Sequence, residues 1–325
     1  MIVVEKPGLM TTLQDRGRFG CAMLGVGRAG AMDDVAMRLA NALVGNAIDA
    51  AALEITLIGP RLLFEKAATI ALTGAEFSFR VDGIERPAWQ ALDLGAGSVV
   101  EIGRAARGAR GYLAVAGAFA ATPVLGSIST DVNARLGGID GRPLREGDRL
   151  ARADALPPPR RTAAHAAPSH WSLDPRPWFD ADGALPIRVI RGAHFDALDT
   201  ASQRALFEGD FIVGNDSNRV GSRLDGTKLA LSAPLDLVSE PLAIGTLQLP
   251  PGGAPIALMA EHPTVGGYPR IGHVAIIDLP RLGQRRPGDR VRFAPIDLDA
   301  AQTRYLERED AIDRLVGAIR ERLGR

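Results

Sequence analysis

The chain has 325 residues, and its 38 Lys plus Arg offset its 38 Asp plus Glu to a formal net charge of zero. That balance excludes partners held by bulk electrostatics, so neither nucleic acid nor an anionic membrane surface is expected. Length and apolar content suit a globular protein with two cored domains, and a single cysteine, Cys21, excludes an internal disulfide and a multi-cysteine metal site.

Read in order, the chain opens with a strand-like run at residues 2–4, stopped by Pro7-Gly8, and lacks a signal-peptide core. No apolar run reaches the roughly 18 residues that span a bilayer. A cytoplasmic chain with no membrane partner and no metal site is expected. Next comes Thr11-Thr12-Leu13-Gln14-Asp15-Arg16-Gly17-Arg18-Phe19-Gly20, an acid and two arginines among glycines. It reads either as a ligand-touching loop or as a salt-bridged surface turn of little energetic value. Residues 33–43 predict a helix. Asp33 can cap it, Met32, Val35, Ala36, Leu39, Ala40 and Leu43 make one apolar stripe, and Gly45 stands where a left-handed residue ends a helix. Asn41 and Asn46 bracket its end as capping amides or ligand contacts.

Short β runs follow at 53–58, 62–64, 69–73, 77–81, 98–102 and 112–116, each broken by Gly, Pro or Asp-Gly. Asp82-Gly83 signals a hairpin. Gly126-Ser127-Ile128-Ser129-Thr130 is a hydroxyl-bearing loop, but no Gly-x-Ser-x-Gly elbow occurs, so a serine hydrolase finds weak support. Residues 151–186 are rich in proline, among them Pro157, Pro158 and Pro159, and form an extended linker. His165 and His170 within it read as solvated. The organisation expected is a β domain with one helix over 1–150, a linker over 151–186, and a second β domain with a C-terminal helix over 187–325.

In the second half, strands are expected at 187–190, 211–213, 229–231, 235–238, 245–249 and 290–293, and a helix at 299–323. Asn215-Asp216-Ser217-Asn218-Arg219-Val220-Gly221-Ser222-Arg223-Leu224 is a polar loop suited to planar anionic or amide groups. The organising stretch is 256–277. Apolar runs at 256–260 and 274–277 flank Glu261-His262-Pro263-Thr264 and the permissive Gly266-Gly267. Such a loop can hold an acid, an imidazole, a hydroxyl and a guanidinium together, or it can be a decorated structural hairpin. The halves also echo one another: Asp82-Gly83 with Asp225-Gly226, Leu113-Ala114-Val115-Ala116 with Leu258-Met259-Ala260-Glu261, and Gly147-Asp148-Arg149-Leu150 with Gly288-Asp289-Arg290-Val291.

Several motifs in order carry a family resemblance: residues 7–20 as quoted from Pro7-Gly8-Leu9-Met10 onward, Gly30-Ala31-Met32-Asp33, Ala40-Asn41 with Val44-Gly45-Asn46, Leu53-Glu54, Tyr112-Leu113-Ala114-Val115, Ser129-Thr130, Gly147-Asp148, Ser217 with Arg219, Gly221, Arg223 and Leu224, and Thr264 with Gly266-Gly267-Tyr268-Pro269. The chain resembles the biotin-dependent carboxyltransferase family. That family includes the C subunit of ATP-dependent 5-oxoprolinase, the second subunit of allophanate hydrolase, and the antagonist of the Kip kinase inhibitor. The resemblance implies a mainly β fold of two cyclophilin-like β-barrel domains with a few helices. It implies a smaller B-like (Kip-inhibitor-like) partner and an A-like one, a small-molecule substrate, and ATP shared with those partners. The activity implied is hydrolysis of 5-oxoproline to glutamate. The alternatives are transfer of a carboxyl group from carboxybiotin to urea or a similar amide, with biotin needed only then, and a non-catalytic antagonist role. No Walker-type Gly-Lys-Ser/Thr loop and no biotin-attachment Met-Lys pair is present.

The chain departs from the family pattern at Ile128, Asn218, Pro241, Pro263 and Val265, where Arg, Asp, Gly, Gln and Thr are expected. The expected catalytic residues are Glu261, His262 and Asp15. Arg16, Asn218, Arg219, Arg223, Gln248, Thr264, Gly266, Gly267, Tyr268 and Arg270 are the expected substrate-binding residues, with the arginines holding an anionic group.

Overall fold

The computed structural model describes residues 1–153, 167–180 and 183–324, so His165 and Pro157, Pro158 and Pro159 lie outside the described residues. Strands dominate, with four α-helices among the described residues. The chain divides into two units, one of Met1–Arg18, Ala29–Ala181 and Arg314–Arg325, the other of Phe19–Arg28 and Asp182–Asp313.

The first unit contains β1 (Ile2–Lys6), β2 (Met10–Gln14), α1 (Asp34–Leu43), β3 (Ala52–Thr56), β4 (Arg61–Phe64), β5 (Ala68–Val81), β6 (Ile84–Glu85), β7 (Ala91–Leu94), β8 (Ser98–Val115), β9 (Arg149–Leu150) and β10 (Ala167–Pro168). The runs expected separately at 69–73 and 77–81 are one strand, β5, and those at 98–102 and 112–116 are one strand, β8. Gly74 does not break β5. It takes φ +86°, and the register shifts beside it absorb the irregularity as bulges. A Cβ at Gly74 would collide with the Arg110 carbonyl oxygen, so the close pairing needs glycine. The first part of β8 pairs with β4 and the last part with β3, so one long strand serves two neighbours and the sheet curls toward a barrel. Val4, Leu53, Ile55, Leu62, Phe64, Leu72, Phe79 and Leu113 fill its core. Asp82 (φ 53°) and Gly83 (φ 78°) make the expected hairpin turn between β5 and β6.

Helix α1 has the expected cap, with Asp33 Oδ1 accepting from Ala36 N at 2.9 Å. It is not amphipathic as expected, because every residue from Val35 to Leu43 is buried. Polar side chains make that burial tolerable. The Thr73 hydroxyl donates to the Ala36 carbonyl at 2.7 Å, Asn41 Nδ2 to Ala50 O at 2.7 Å, and Asn46 Nδ2 to Val115 O at 2.9 Å. The helix start is fixed by Glu54, whose Oε2 accepts from Met32 N (2.8 Å) and the Tyr112 hydroxyl (2.7 Å), while that hydroxyl accepts from Asp33 N (2.8 Å). Burial, with the charges of Glu54 and Asp33, pushes the Tyr112 phenol well above its ordinary value, so it stays a donor.

The second unit contains β11 (Ile187–Arg191), α2 (Thr200–Glu208), β12 (Phe211–Val213), β13 (Gly221–Gly226), β14 (Glu240–Pro241), β15 (Thr246–Gln248), β16 (Ile256–Leu258), β17 (Val265–Gly266), β18 (Arg270–Val274), α3 (Leu279–Gly283), β19 (Arg290–Val291) and β20 (Phe293–Pro295). Helix α4 (Leu298–Leu323) begins in this unit, and its residues from 314 onward group with the first. The curled sheet runs β19-β12-β13-β16-β15-β18-β11-β20, with β14 and β17 as a separate two-stranded ribbon. Several expectations change here. Residues 235–238 are not a strand, and 229–231 make only an isolated bridge at Leu231. The run at 274–277 ends β18 and enters a short helical turn. Helix α2 was not expected, although Asp199 caps it by accepting from Ser202 N at 2.6 Å. The polar loop at 215–224 becomes strand from Gly221, and 256–277 is no hairpin, since β16 and β18 each pair with β15 between them.

The internal echo is structural at one landmark. Gly147 N donates to Val4 O and Val4 N to Asp148 O, at 2.8 and 2.9 Å; Gly288 N donates to Val213 O and Val213 N to Asp289 O, again at 2.8 and 2.9 Å. It fails at another, because Asp82-Gly83 is a turn while Asp225-Gly226 ends a strand. Among the described residues no helix is long and apolar enough to cross a membrane.

Tyr112→Phe removes the hydroxyl that joins Glu54 to the start of α1. It is expected to lower the unfolding free energy by about 1–3 kcal/mol, measured by urea denaturation. An unchanged midpoint and slope would show that this bridge holds nothing.

Candidate functional site

In the first unit, β2 delivers Asp15 to the loop at 127–129. Its Oδ1 accepts from Gly17 N (2.7 Å), Ser127 Oγ (2.6 Å) and Ser129 Oγ (2.5 Å), and its Oδ2 from Ile128 N (2.7 Å). Burial works to raise the Asp15 carboxyl, but these donors outweigh it and hold the group below its ordinary value. Such a carboxylate is a clamp before it is a base. Ser127 and Ser129 are its partners, a link that no local pattern announces across more than a hundred residues. Arg18 is buried at 2% exposure; its Nε donates to Val124 O and its Nη2 to Ser129 O. Its Nη1, Gln14 Oε1 and Thr130 Oγ1 are buried without a hydrogen-bond partner. Arg16 is exposed.

In the second unit, Glu261 and His262 follow β16. Arg219 Nε donates to Glu261 Oε1 at 2.5 Å, and Glu261 N to Arg219 O at 2.8 Å, so side chain and backbone lock the two segments reciprocally. Both side chains are almost fully buried. His262 Nδ1 lies 2.8 Å from Pro263 O; a carbonyl only accepts, so Nδ1 carries the proton and Nε2 is free to accept. Burial lowers the His262 pKa, the Pro263 contact opposes it, and the Arg28 charge lowers it further. Burial, followed by the His262 charge, also lowers His273.

A cavity of about 310 Å³ lies in this unit, lined in part by Pro241, Leu242, Thr246, Arg270, Gly272 and His273. Its wall is β15 and β18. Thr246 pairs with His273 and Gln248 with Arg270, with a register shift between Leu247 and Gln248. In unbroken pleating Arg270 and His273 would face opposite sides. The extra residue, Ile271, restores them to one face with Thr246 and Gln248. Gln248 is 5% exposed, and its Nε2 has no hydrogen-bond partner. A Cβ on Gly266 would stand 3.0 Å from that nitrogen and 2.7 Å from Leu242 Cδ1, which is why glycine occupies the ribbon there. Arg270 Nη2 pairs with Glu240 Oε2, and its backbone N–H donates to His194 Nδ1 at 3.0 Å.

Among the other expected residues, Thr264 gives its carbonyl to Leu242 N (2.9 Å), and Tyr268 and Gly267 are exposed. Asn218 turns its Oδ1 onto Val220 N (2.8 Å), and Arg223 is exposed with its backbone N held by Ser217 Oγ (3.0 Å). Arg270 therefore lines the cavity, Gln248 is its partner across β15 and β18, and Gly266 lies against Gln248, while Asp15 and Arg16 belong to the other unit. Thr246 and His273 escaped sequence reading because only the bulge turns His273 toward the cavity. A wider cleft of about 700 Å³, bordered by Arg188, Arg191, Asp297 and Arg304, contains none of the expected residues. Its Arg188 is already held by Asp278, at 2.7 and 2.8 Å. Among the described residues no group of three or more His, Cys, Asp or Glu could hold a metal ion.

Comparison with known proteins agrees with this architecture. Residues 24–295 match the family model described as carboxyltransferase domain, subdomain A and B. The chain is 34% identical over 311 residues to the C subunit of 5-oxoprolinase from Haemophilus influenzae, covering 96% of each. It is 37% identical over 315 residues to the C subunit of 5-oxoprolinase from Escherichia coli, covering 94% of this chain and 97% of the other. The crystal structure of the K. lactis urea amidolyase superposes with a TM-score of 0.84 at 29% identity, over 96% of this chain and 20% of that longer one.

Glu261→Ala leaves the Arg219 charge buried without this carboxylate and is expected to cost about 3–5 kcal/mol, read from chemical denaturation; a loss below about 1 kcal/mol contradicts it. For Asp15 the depressed carboxyl contributes stability above its unfolded pKa of ~3.9 and loses it as pH falls through the folded value. Asp15→Asn should therefore destabilise by about 1.5–3 kcal/mol near pH ~7 and by less below roughly pH 3. A deficit that does not change with pH overturns the clamp.

Proposed function

Because the chain belongs to the carboxyltransferase family of subdomains A and B, we propose that it is the C subunit of a 5-oxoprolinase-type enzyme. With a smaller B-like subunit and an A-like subunit, the complex opens the lactam of 5-oxoproline to glutamate at the expense of ATP. The observation that carries this reading is the nearly end-to-end likeness to two relatives named as the C subunit of 5-oxoprolinase.

Opening a lactam breaks one C–N bond. The oxygen of water bonds to the carbonyl carbon, and a proton passes to the departing nitrogen. In this reading the cavity of the second unit receives the substrate. Gln248 Nε2 and Arg270 are donors for carbonyl and carboxylate oxygens. His273 and His262, kept neutral by burial, handle the proton. Glu261 spends its charge on Arg219 and positions His262 from the adjacent residue. Thr264, Gly266, Gly267 and Tyr268 shape the ribbon side, Asn218 and Arg223 the neighbouring turn. On the first unit Arg16 is exposed, while Asp15 holds the loop at 127–129 in place.

The residues of this chain do not fit ATP. Gly266 and Gly267 lead into a strand and not a helix, and no Gly-Lys-Ser/Thr loop occurs. ATP is assigned to the partner subunits, and no step here passes through it. The likeness to the urea amidolyase structure favours a second reading, a carboxyltransferase. There Gln248 and Thr246 would hold the ureido edge of a biotin carried by another chain, and biotin would supply the carboxyl group.

Co-expression with the B-like and A-like subunits should give ATP-dependent release of glutamate from 5-oxoproline, and leaving this chain out should abolish it. An unchanged rate without the chain rejects the assignment. In the complete complex, His273→Gln should lower turnover about 10²-fold. The acid limb of the wild-type pH–rate profile should lie below ~6.5, the ordinary histidine value, because the neutral imidazole is the working form and burial holds its pKa down.

A further inference from the structure

The polar lining of the 310 Å³ cavity is rich in donors. Among the described residues, no acidic side chain lines it. Gln248, the cross-strand partner of Arg270, has its Nε2 buried without an acceptor beneath Gly266 of the β14–β17 ribbon. Thr246 Oγ1 is already donating to Ala243 O at 2.8 Å, so its lone pairs alone face outward. Among the described residues, the carboxylate paired with Arg270 is Glu240, and it comes from outside the wall, on the ribbon of β14 and β17.

That ribbon is slightly built. Its register consists of Glu240 with Gly266 and Pro241 with Val265. Pro241 has no N–H to donate. The next backbone bond is Leu242 N to Thr264 O at 2.9 Å, and Leu242 is the first buried side chain of the segment. Residues 232–236 and 238–241 are exposed, Val238 to 86%. The Arg270–Glu240 pair is itself half in water, at 29% and 49% exposure. An ion pair of that kind contributes roughly 0–1 kcal/mol, so a competing anion can displace it cheaply.

We propose that Arg270 and Gln248 form a receptor for a small carboxylate, and that Glu240 is a built-in competitor which the ligand displaces. On binding, the ligand's carboxylate takes the Arg270 guanidinium, its second polar edge takes Gln248 Nε2, and the β14–β17 ribbon is released from Arg270. The cavity lies at the lower end of ligand-pocket volumes, about 300–1,000 Å³, which limits the ligand to a small acid. The inference rests on the cavity being the substrate pocket of the proposed function, but its test does not need turnover.

The experiment is calorimetric titration of the full-length chain with 5-oxoproline, with its neutral carboxamide, and with acetate as a bare carboxylate. Wild type should favour the acid over the carboxamide. Glu240→Gln should tighten binding of both acids at least about fivefold and leave the carboxamide unchanged, whereas Arg270→Gln should erase the preference for charge. Hydrogen exchange of residues 234–241 should quicken when wild type binds 5-oxoproline. If Glu240→Gln folds normally and binds the acids no more tightly, the competitor role is wrong. If Arg270→Gln keeps the charge preference, the receptor is wrong. Retained preference for acetate alone, with no selection of 5-oxoproline, would uphold the anion receptor while removing the 5-oxoprolinase reading.

Discussion

Carboxylates that lose their water on folding decide where the polar loops of this protein go. Glu54, Glu261 and Asp278 are almost entirely buried, and Asp15 largely so. Leaving any of them without donors would cost about 3–5 kcal/mol, a large share of the roughly 5–15 kcal/mol by which a domain is stable. Each is met by donors from elements far apart in sequence. Glu54 joins β3 to the start of α1 and to β8, and Asp15 joins the end of β2 to the loop at 127–129. Glu261 joins the end of β16 to the turn at Arg219. Asp278 takes both the backbone N–H and the guanidinium of Arg188 on β11. The barrels supply apolar interiors, but these clamps fix the loops that border them.

The sequence made the strands, the capped helix α1, the Asp82-Gly83 hairpin and the long terminal helix legible, because each depends on local pattern. Long-range geometry was not legible. Gly74 and the glycines around residue 108 look like breaks in a linear reading, yet within paired strands they become bulges that lengthen and bend β5 and β8. Helix α2 hid because its moderate apolar pattern gave no stripe, although Asp199 and Ser202 stood at capping distance. Gln248, Gly266 and Arg270 could be named from the chain, and strand pairing and the ribbon make them neighbours. His273 could not, since its direction depends on a register shift that only the pairing of β15 with β18 reveals.

Family membership and local geometry bear on different aspects of function. Membership in the carboxyltransferase family fixes the kind of scaffold, and full-length likeness to the C subunits of 5-oxoprolinases directs the proposed chemistry toward a lactam. The local physics then separates roles among residues that the motif alone treats as equivalent. A carboxylate saturated by hydroxyls and amides, as at Asp15, holds shape. An imidazole whose burial keeps it neutral, as at His262 and His273, can move protons. A guanidinium with a loosely mounted counter-ion, as at Arg270, can exchange partners.

The bulge in β18 also ties this stretch of chain to one way of pairing with β15. Pairing its residues one to one, with none left over, would leave the ladder regular and the core strand intact, yet it would turn one of the two polar side chains, Arg270 or His273, out of the hollow. Such a slip would be nearly silent to folding and ruinous to recognition. The register of this short segment is therefore as much a part of its chemistry as the identity of its residues.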